Sequence, residues 1–370
     1  MPTVTTDFDN GGAKVVAIDA DARRIALAPV EADGARPLFI HARLSGLDIT
    51  APTRVEFVQV HPPARHARGV YSYDGSTWAR FEEELEPGVY RHRFTRPDAY
   101  VARNLPYPYS AGLALADELA GCSAVTVEDL CISEAGRAVK CLRFGAGSGE
   151  RATVWVHARQ HAFECHSSRV ADGLARWLAA GSDAARALTG RADVYVVPIV
   201  DVDGVHAGLS GKDRKPVDFN RDWSVQPHWR AVRAIVDRLD ACAARRPLLA
   251  AIDIHSPWFY EPHHWHTLDA VDRGVLGRFL NAFEQGVGAR RDEPCWASRV
   301  STGYLRGDMP TATSFAFERW LRGRRDGLAI TMEVAHDRDV LGRWITAEAL
   351  DTYGQALGEA LAAHVVRSVP

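Results

Sequence analysis

The sequence predicts two architectures in series: an all-β sandwich over residues 1–110, then an α/β domain over residues 111–370. The second has a mixed, largely parallel central sheet with helices on both faces. Three observations carry this reading. Up to about residue 105 the apolar runs are short and separated by Gly, Asp and Pro. From about residue 125, strand-like runs alternate with long helical periods. A length of 370 residues also favours two cores over one.

In the first part, residues 14–18, 24–28, 37–44, 54–61, 69–73 and 88–94 read as strands, with turn signals such as Asp33-Gly34 and Asp74-Gly75 between them. Tyr107-Pro108-Tyr109-Ser110 reads as a hinge leading into a helix over 111–120. Residues 132–139 read as a hairpin around a polar turn. Strands are then expected at 152–158, 193–200, 248–254 and 328–333. Helices are expected through 170–178, 229–244, 272–283 and 346–365. No internal repeat or low-complexity segment interrupts this order.

Composition narrows the function. A formal net charge of −3 gives no electrostatic footprint for nucleic acid or an anionic membrane. No stretch reaches the roughly 18 consecutive apolar residues of a spanning helix. The start shows no basic segment followed by an apolar core, and Cys122, Cys131, Cys141, Cys165, Cys242 and Cys295 show no C-x-x-C spacing. These features lead us to expect reduced thiols in a cytoplasmic protein.

The chemistry begins at His161-Ala162-Phe163-Glu164, an H-x-x-E pair just past the expected 152–158 strand. With 15 His and 47 acidic residues, about two such pairs arise by chance, so the pair alone decides nothing. Its placement carries more. Asp201 follows one expected strand, His255 ends another and Glu333 ends a third. In open α/β sheets the carboxyl ends of the strands share one rim, where ligands bind. His161, Glu164 and His255 would form the two-imidazole, one-carboxylate set of a catalytic zinc, one ion per chain, with one position left for water. Zinc lowers the pKa of such a water to about 7. Glu333, closing the apolar run 328–332, would take the water's proton and pass it to a leaving amine. A cation must then meet the oxyanion, and another an anionic substrate end. His157, His166, His206 and His263, His264 and His266 are further metal candidates without a matched third ligand. Ser210 and Ser256 lack the G-x-S-x-G elbow of a serine hydrolase.

In order and placement these motifs resemble the M14 zinc carboxypeptidases. The matching segments are His161–Glu164, Asp201-Val202-Asp203-Gly204, Asp218-Phe219-Asn220-Arg221, Asp253-Ile254-His255 and Thr331-Met332-Glu333, preceded by Ser133-Glu134-Ala135-Gly136-Arg137. The resemblance spans about residues 125–366. Phe8-Asp9-Asn10-Gly11, Tyr73-Asp74-Gly75-Ser76-Thr77-Trp78 and Tyr107–Ser110 are similar to the cytosolic carboxypeptidase branch, which carries a β-sandwich ahead of its catalytic part.

The resemblance implies hydrolysis of the last peptide bond of a peptide or protein tail. Zinc would sit on His161, Glu164 and His255, and Glu333 would be the base and proton shuttle. Asn220 and Arg221 would grip the substrate's C-terminal carboxylate. The oxyanion cation should lie between the Asp203-Gly204 turn and Asn220; Arg214 is the first choice and Lys212 its competitor. Tyr304 is the candidate for the tyrosine that closes over substrate. Arg306, Arg319, Arg322, Arg324 and Arg325 are candidates for a basic specificity pocket. Two departures stand out: Ala162-Phe163 replaces the branch's Pro-Gly, and the N-P of the family's N-P-D-G turn is Asp201-Val202. Alternative readings are a zinc amidohydrolase acting on N-acyl amino acids, and a non-catalytic peptide-binding module.

Overall fold

The computed structural model describes residues 1–60, 67–145, 151–256, 263–267, 273–290, 300–301 and 327–368. Tyr304 and the five candidate pocket arginines lie outside these residues.

The N-terminal part folds as two five-stranded sheets. One runs in the order Thr3–Thr5, His41–Ser45, Ala99–Ala102, Val70–Ser72, Ala79–Arg80; the other in the order Lys14–Asp19, Arg24–Ala28, Thr53–Phe57, Val89–His92, Glu83–Glu86. Their inner faces meet through aromatic rings. Tyr71 and His92 lie 4.1 Å apart, and Phe81 stacks on Tyr90 at 4.7 Å. Arg24–Ala28 and Thr53–Phe57 pair in parallel, whereas the other pairs in these sheets are antiparallel. The strand expected at 37–44 begins only at His41. Pro37 has no N–H for a ladder, and Leu38, Phe39 and Ile40 are buried as an irregular segment.

The second part is built on one mixed sheet. Among the described residues its order is Val125–Ile132, Ala138–Phe144, Ala192–Val197, Ala152–Ala158, Leu248–His255, Leu328–Glu333, His264–Thr267, Val300–Ser301. The four central strands, from Ala192–Val197 to Leu328–Glu333, are mutually parallel; Ala138–Phe144 and His264–Thr267 join them antiparallel on either side, and at the far edge Val300–Ser301 pairs in parallel with His264–Thr267. That arrangement explains their near-continuous burial, since a parallel sheet is covered on both faces. Helices Cys165–Ala180, Arg273–Arg290 and Ala347–Ser368 pack together against one face. Arg230–Ala243 covers the other, with Ile235 and Leu239 in the cluster that also holds Trp155 and Ala251.

That same cluster runs on into the sandwich and takes in Ile25, Leu44 and Val101, so the two parts share buried apolar surface. Polar contacts fasten the seam. Asn10 donates to the Val205 and His206 carbonyls at 2.8 and 3.0 Å, and Asp9 accepts from the Ser110 amide at 2.6 Å. Arg80 pairs with Asp337 at 2.9 Å. No helix among the described residues is long and apolar enough to cross a membrane.

Candidate metal centre

Strand alternation places the site's residues. Along Leu248–His255, Ile252 and Ile254 face the helical layer, so Asp253 and His255 point the other way. On the neighbouring parallel strand, Asp253 pairs with Thr331 and His255 with Glu333, which puts Glu333 on the same face. The Ala152–Ala158 strand ends just before a tight turn organised by Arg159, whose backbone takes a positive φ of 66°. The Arg159 guanidinium is fully buried and donates to Ala162 O at 2.7 Å, Ser168 Oγ at 3.2 Å and Tyr107 O at 3.3 Å. His161 emerges from this turn, and Glu164 occupies the position before helix Cys165–Ala180, where the helix dipole favours a carboxylate.

His161, Glu164 and His255 converge, all three buried, with one ligand atom from each lying within 4.8 Å of the others. His161 Nδ1 is 2.7 Å from Glu164 Oε1, and His255 Nδ1 is 2.7 Å from Glu164 Oε2. Each ring's far nitrogen meets a second carboxylate: His161 Nε2 lies 3.0 Å from Asp218, and His255 Nε2 lies 3.0 Å from Asp253. A carboxylate on Nε2 keeps the proton there in the neutral ring and leaves the Nδ1 lone pair for a metal. Two imidazoles and one carboxylate, oriented in this way, suit zinc.

The buried network reaches further. Asp253 also meets His157 Nε2 at 3.2 Å and accepts from Gln160 Nε2 at 2.6 Å. Trp155 donates to His157 Nδ1 at 3.1 Å, and Trp223 donates to Gln160 Oε1 at 2.9 Å. His157 is thereby a partner of Asp253, two bonds behind the candidate ligands. His166 donates to the Ala335 carbonyl at 2.9 Å, and His263 meets the Tyr353 hydroxyl at 3.2 Å, so both serve local structure.

Electrostatics follow from this packing. Burial works against the charged form of every group here, yet the mutual attraction is larger. Desolvation pulls His255 down, but Asp253 and Glu164 raise its pKa well above the usual histidine value. Burial lowers and Asp218 with Glu164 raise His161, which ends elevated. Glu164 is pushed up by burial and held well below its ordinary value by the two imidazoles. Three buried carboxylates around two rings therefore call for positive charge, supplied by protons or by a metal that displaces them.

The Asp201–Gly204 turn and the loop after it flank the ligands. Asp201 Oδ1 accepts from the Gly204 amide at 2.8 Å. A Cβ at Gly204 would stand 2.2 Å from Asp201 Oδ2, which is why glycine closes this turn. Asp203 gathers the hairpin, accepting from Ser133 Oγ at 2.8 Å, the Ala135 amide at 3.0 Å and Arg137 at 3.0 Å. Burial raises the Asp201 carboxyl to about 6 despite the nearby Arg214.

Arg214 donates to Asp201 at 3.2 Å and to Asp33 of the sandwich at 3.1 Å, and its guanidinium lies 4.7 Å from the Trp229 ring centroid. Lys212 is the cation beside a ligand, with Nζ 4.0 Å from Glu164 Oε1. Asp218 caps the short Phe219–Arg221 helix, accepting from the Asn220 amide at 2.8 Å, so one residue both orients His161 and places Asn220 and Arg221. Asn220 and Arg221 are half-buried at the rim.

The orienting roles of Asp218 and Asp253 were not anticipated from the sequence. The signal was present: each lies two residues from a residue already singled out, Asn220 and His255.

Residues 114–246 match the family model of the zinc carboxypeptidases, peptidase family M14. That span holds His161, Glu164, Asn220 and Arg221 and ends before His255 and Glu333. A search of curated proteins found no match. Among solved structures, a metallo-carboxypeptidase from Burkholderia cenocepacia superposes with a TM-score of 0.81 at 21% identity, covering 100% of both chains. A metallo-carboxypeptidase from Pseudomonas aeruginosa, in complex with (2-guanidinoethylmercapto)succinic acid, gives 0.79 at 22% identity over 98% of each chain. Bovine thrombin-activatable fibrinolysis inhibitor, in complex with tick carboxypeptidase inhibitor, gives 0.52 at 16% identity over 70% of this chain and 96% of that one. The solved structures show a shared fold, and the zinc carboxypeptidase family model matches a little over a third of the chain, a span that holds His161 and Glu164 of the converging His-Glu-His cluster.

Proposed function

We propose that the chain is a zinc metallocarboxypeptidase that removes the C-terminal residue of a peptide or protein tail. One observation carries this reading above the others. His161, Glu164 and His255 meet with both imidazole Nε2 atoms held by carboxylates, and Glu333 stands across from His255 on the next strand.

In this reading His161, Glu164 and His255 hold one zinc ion. The ion supplies Lewis acidity and a water with a pKa near 7. Glu333 takes the proton from the attacking water and delivers it to the departing amine. Asn220 and Arg221 hold the free carboxylate of the substrate, a planar guanidinium being matched to it. A carboxylate grip of this kind restricts cleavage to chain ends. The five described cysteines are all free, which supports the cytoplasmic placement.

The test is a C-terminal peptide library assayed with zinc, alongside amidated peptides and N-acyl amino acids. We expect cleavage of free C-termini alone, abolished by a chelator and restored by zinc. Activity confined to N-acyl amino acids sinks the proposal. (2-Guanidinoethylmercapto)succinic acid, which the Pseudomonas aeruginosa protein binds, is expected to compete through its carboxylates.

A further inference from the structure

The loop between the Asp201–Gly204 turn and Asp218 is pressed directly onto the H-x-x-E turn. The Phe163 amide donates to Ser210 O at 3.0 Å. Gly211, at a positive φ of 78°, lies so close that a Cβ there would stand 2.7 Å from the Ala162 nitrogen. The Asp213 amide donates to Asp218 Oδ2 at 2.7 Å, so the loop's far side also touches the shell that orients His161. Lys212 lies between these two anchors. Its side chain is 22% exposed and its ammonium reaches to 4.0 Å from Glu164.

The same loop is held from outside by the sandwich. The Arg36 amide donates to Lys212 O at 2.9 Å, and the Lys215 amide donates to Asp33 O at 2.7 Å. Arg36 pairs with Asp213, and Asp33 pairs with Arg214. A four-residue turn more than 170 positions away thus brackets Lys212 on both sides. Arg214, locked between Asp33, Asp201 and Trp229, acts as part of the clamp.

We propose that Lys212 is the cation that meets the oxyanion of the reaction, and that the Asp33–Arg36 turn of the N-terminal sandwich positions it. The proposal rests on the peptidase reading of the site. As the water oxygen adds to the scissile carbonyl carbon, the carbonyl π pair moves onto its oxygen, and the Lys212 ammonium donates to that oxygen. When the carbonyl re-forms, the C–N bond breaks. The nitrogen keeps the electron pair and takes the proton carried by Glu333, so peptide plus water gives acid plus amine. A half-buried ammonium held in advance is worth more to such an oxygen than solvent, because no reorganisation is needed. Lysine presents a point charge on a flexible stem, so its backbone must be fixed for the charge to be aimed. The bracing by the sandwich fills that need.

The experiment uses the full zinc-loaded chain, a free C-terminal peptide and its tetrahedral phosphonate analogue. Lys212→Ala is expected to lower kcat by about 100-fold with KM moving less than about 3-fold. Phosphonate affinity, measured by calorimetry, falls by a similar factor, while zinc content stays at one per chain. Lys212→Arg recovers part of both losses.

The pair Asp33→Asn with Arg36→Gln keeps a residue that tolerates the positive φ at position 33. It is expected to lower kcat and phosphonate affinity about 5-fold in the parent and not at all in the Lys212→Ala background. Full phosphonate affinity in Lys212→Ala overturns the proposal, as does loss of zinc in that variant, which would make Lys212 a counter-charge for the carboxylates. An equal effect of the turn substitutions in both backgrounds overturns the positioning role. If the parent neither cleaves peptides nor binds the phosphonate, the peptidase reading falls, and this proposal with it.

Discussion

His255 and Glu333 stand opposite each other in register on adjacent parallel strands, each the last residue of its strand. The sheet itself thus sets the spacing between a candidate ligand and the candidate base, and neither depends on a loop for its height above the rim. Glu333→Gln changes one oxygen to an amide without altering that frame. It is expected to retain zinc and thermal stability while turnover falls by about a thousand-fold. Metal analysis and steady-state kinetics on the same preparation check this, and turnover within a few-fold of the parent removes Glu333 from the mechanism.

Asp253 touches His255 Nε2, His157 and Gln160, so its carboxylate fixes the ring of a candidate ligand from behind. Asp253→Asn is expected to weaken zinc binding by about 10- to 100-fold. Competition against a chromogenic chelator reads this directly. Unchanged zinc affinity would mean that the Nε2 contact does not orient the ring.

Much of this frame was legible because apolar periodicity reports burial. The strands at 24–28 and 328–333 match the sequence expectation residue for residue, and His255 and Glu333 end strands as anticipated. Edges were less legible. Glu83–Glu86 is a polar outer strand whose signal is its pairing with Arg91, invisible to hydrophobic pattern. The helix Asp183–Arg191 announces itself only through Ser182, whose Oγ caps the Ala185 amide. The clamp on Lys212 could not be read at all, since Asp33 and Arg214 meet through tertiary packing alone.

Arg221 stands at the rim beside Asn220, its Nη1 donating to the Asn220 carbonyl at 3.2 Å. If it grips the substrate's terminal carboxylate, Arg221→Ala removes a charge-assisted contact of about 1.5–3 kcal/mol. That corresponds to a loss of about 10- to 150-fold in kcat/KM on peptides with a free C-terminus. Amidated peptides, which lack that carboxylate, should lose far less. Comparable losses on both would show that Arg221 supports the loop rather than the substrate.

His41 carries the pH dependence of the seam. It is buried, donates from Nδ1 to Asn10 O at 3.1 Å and packs against Phe8 and Trp78 at 5.0 and 5.4 Å. Burial lowers its pKa to about 4, only partly offset by the Asn10 carbonyl and Asp9. The folded value lies below the unfolded one, so the folded state binds fewer protons. Stability is therefore complete above about pH 6.5 and is lost as pH falls from there toward 4, on the order of 2–3 kcal/mol in total. His166, lowered by burial to about 3, adds a loss of the same sign, so only a difference between variants isolates His41. His41→Asn keeps a donor near the Nδ1 position and cannot take up the proton. Urea unfolding at pH 7.5 and pH 5 should show a smaller drop in stability for this variant than for the parent. An equal drop in both would mean that His41 is charged in the folded seam.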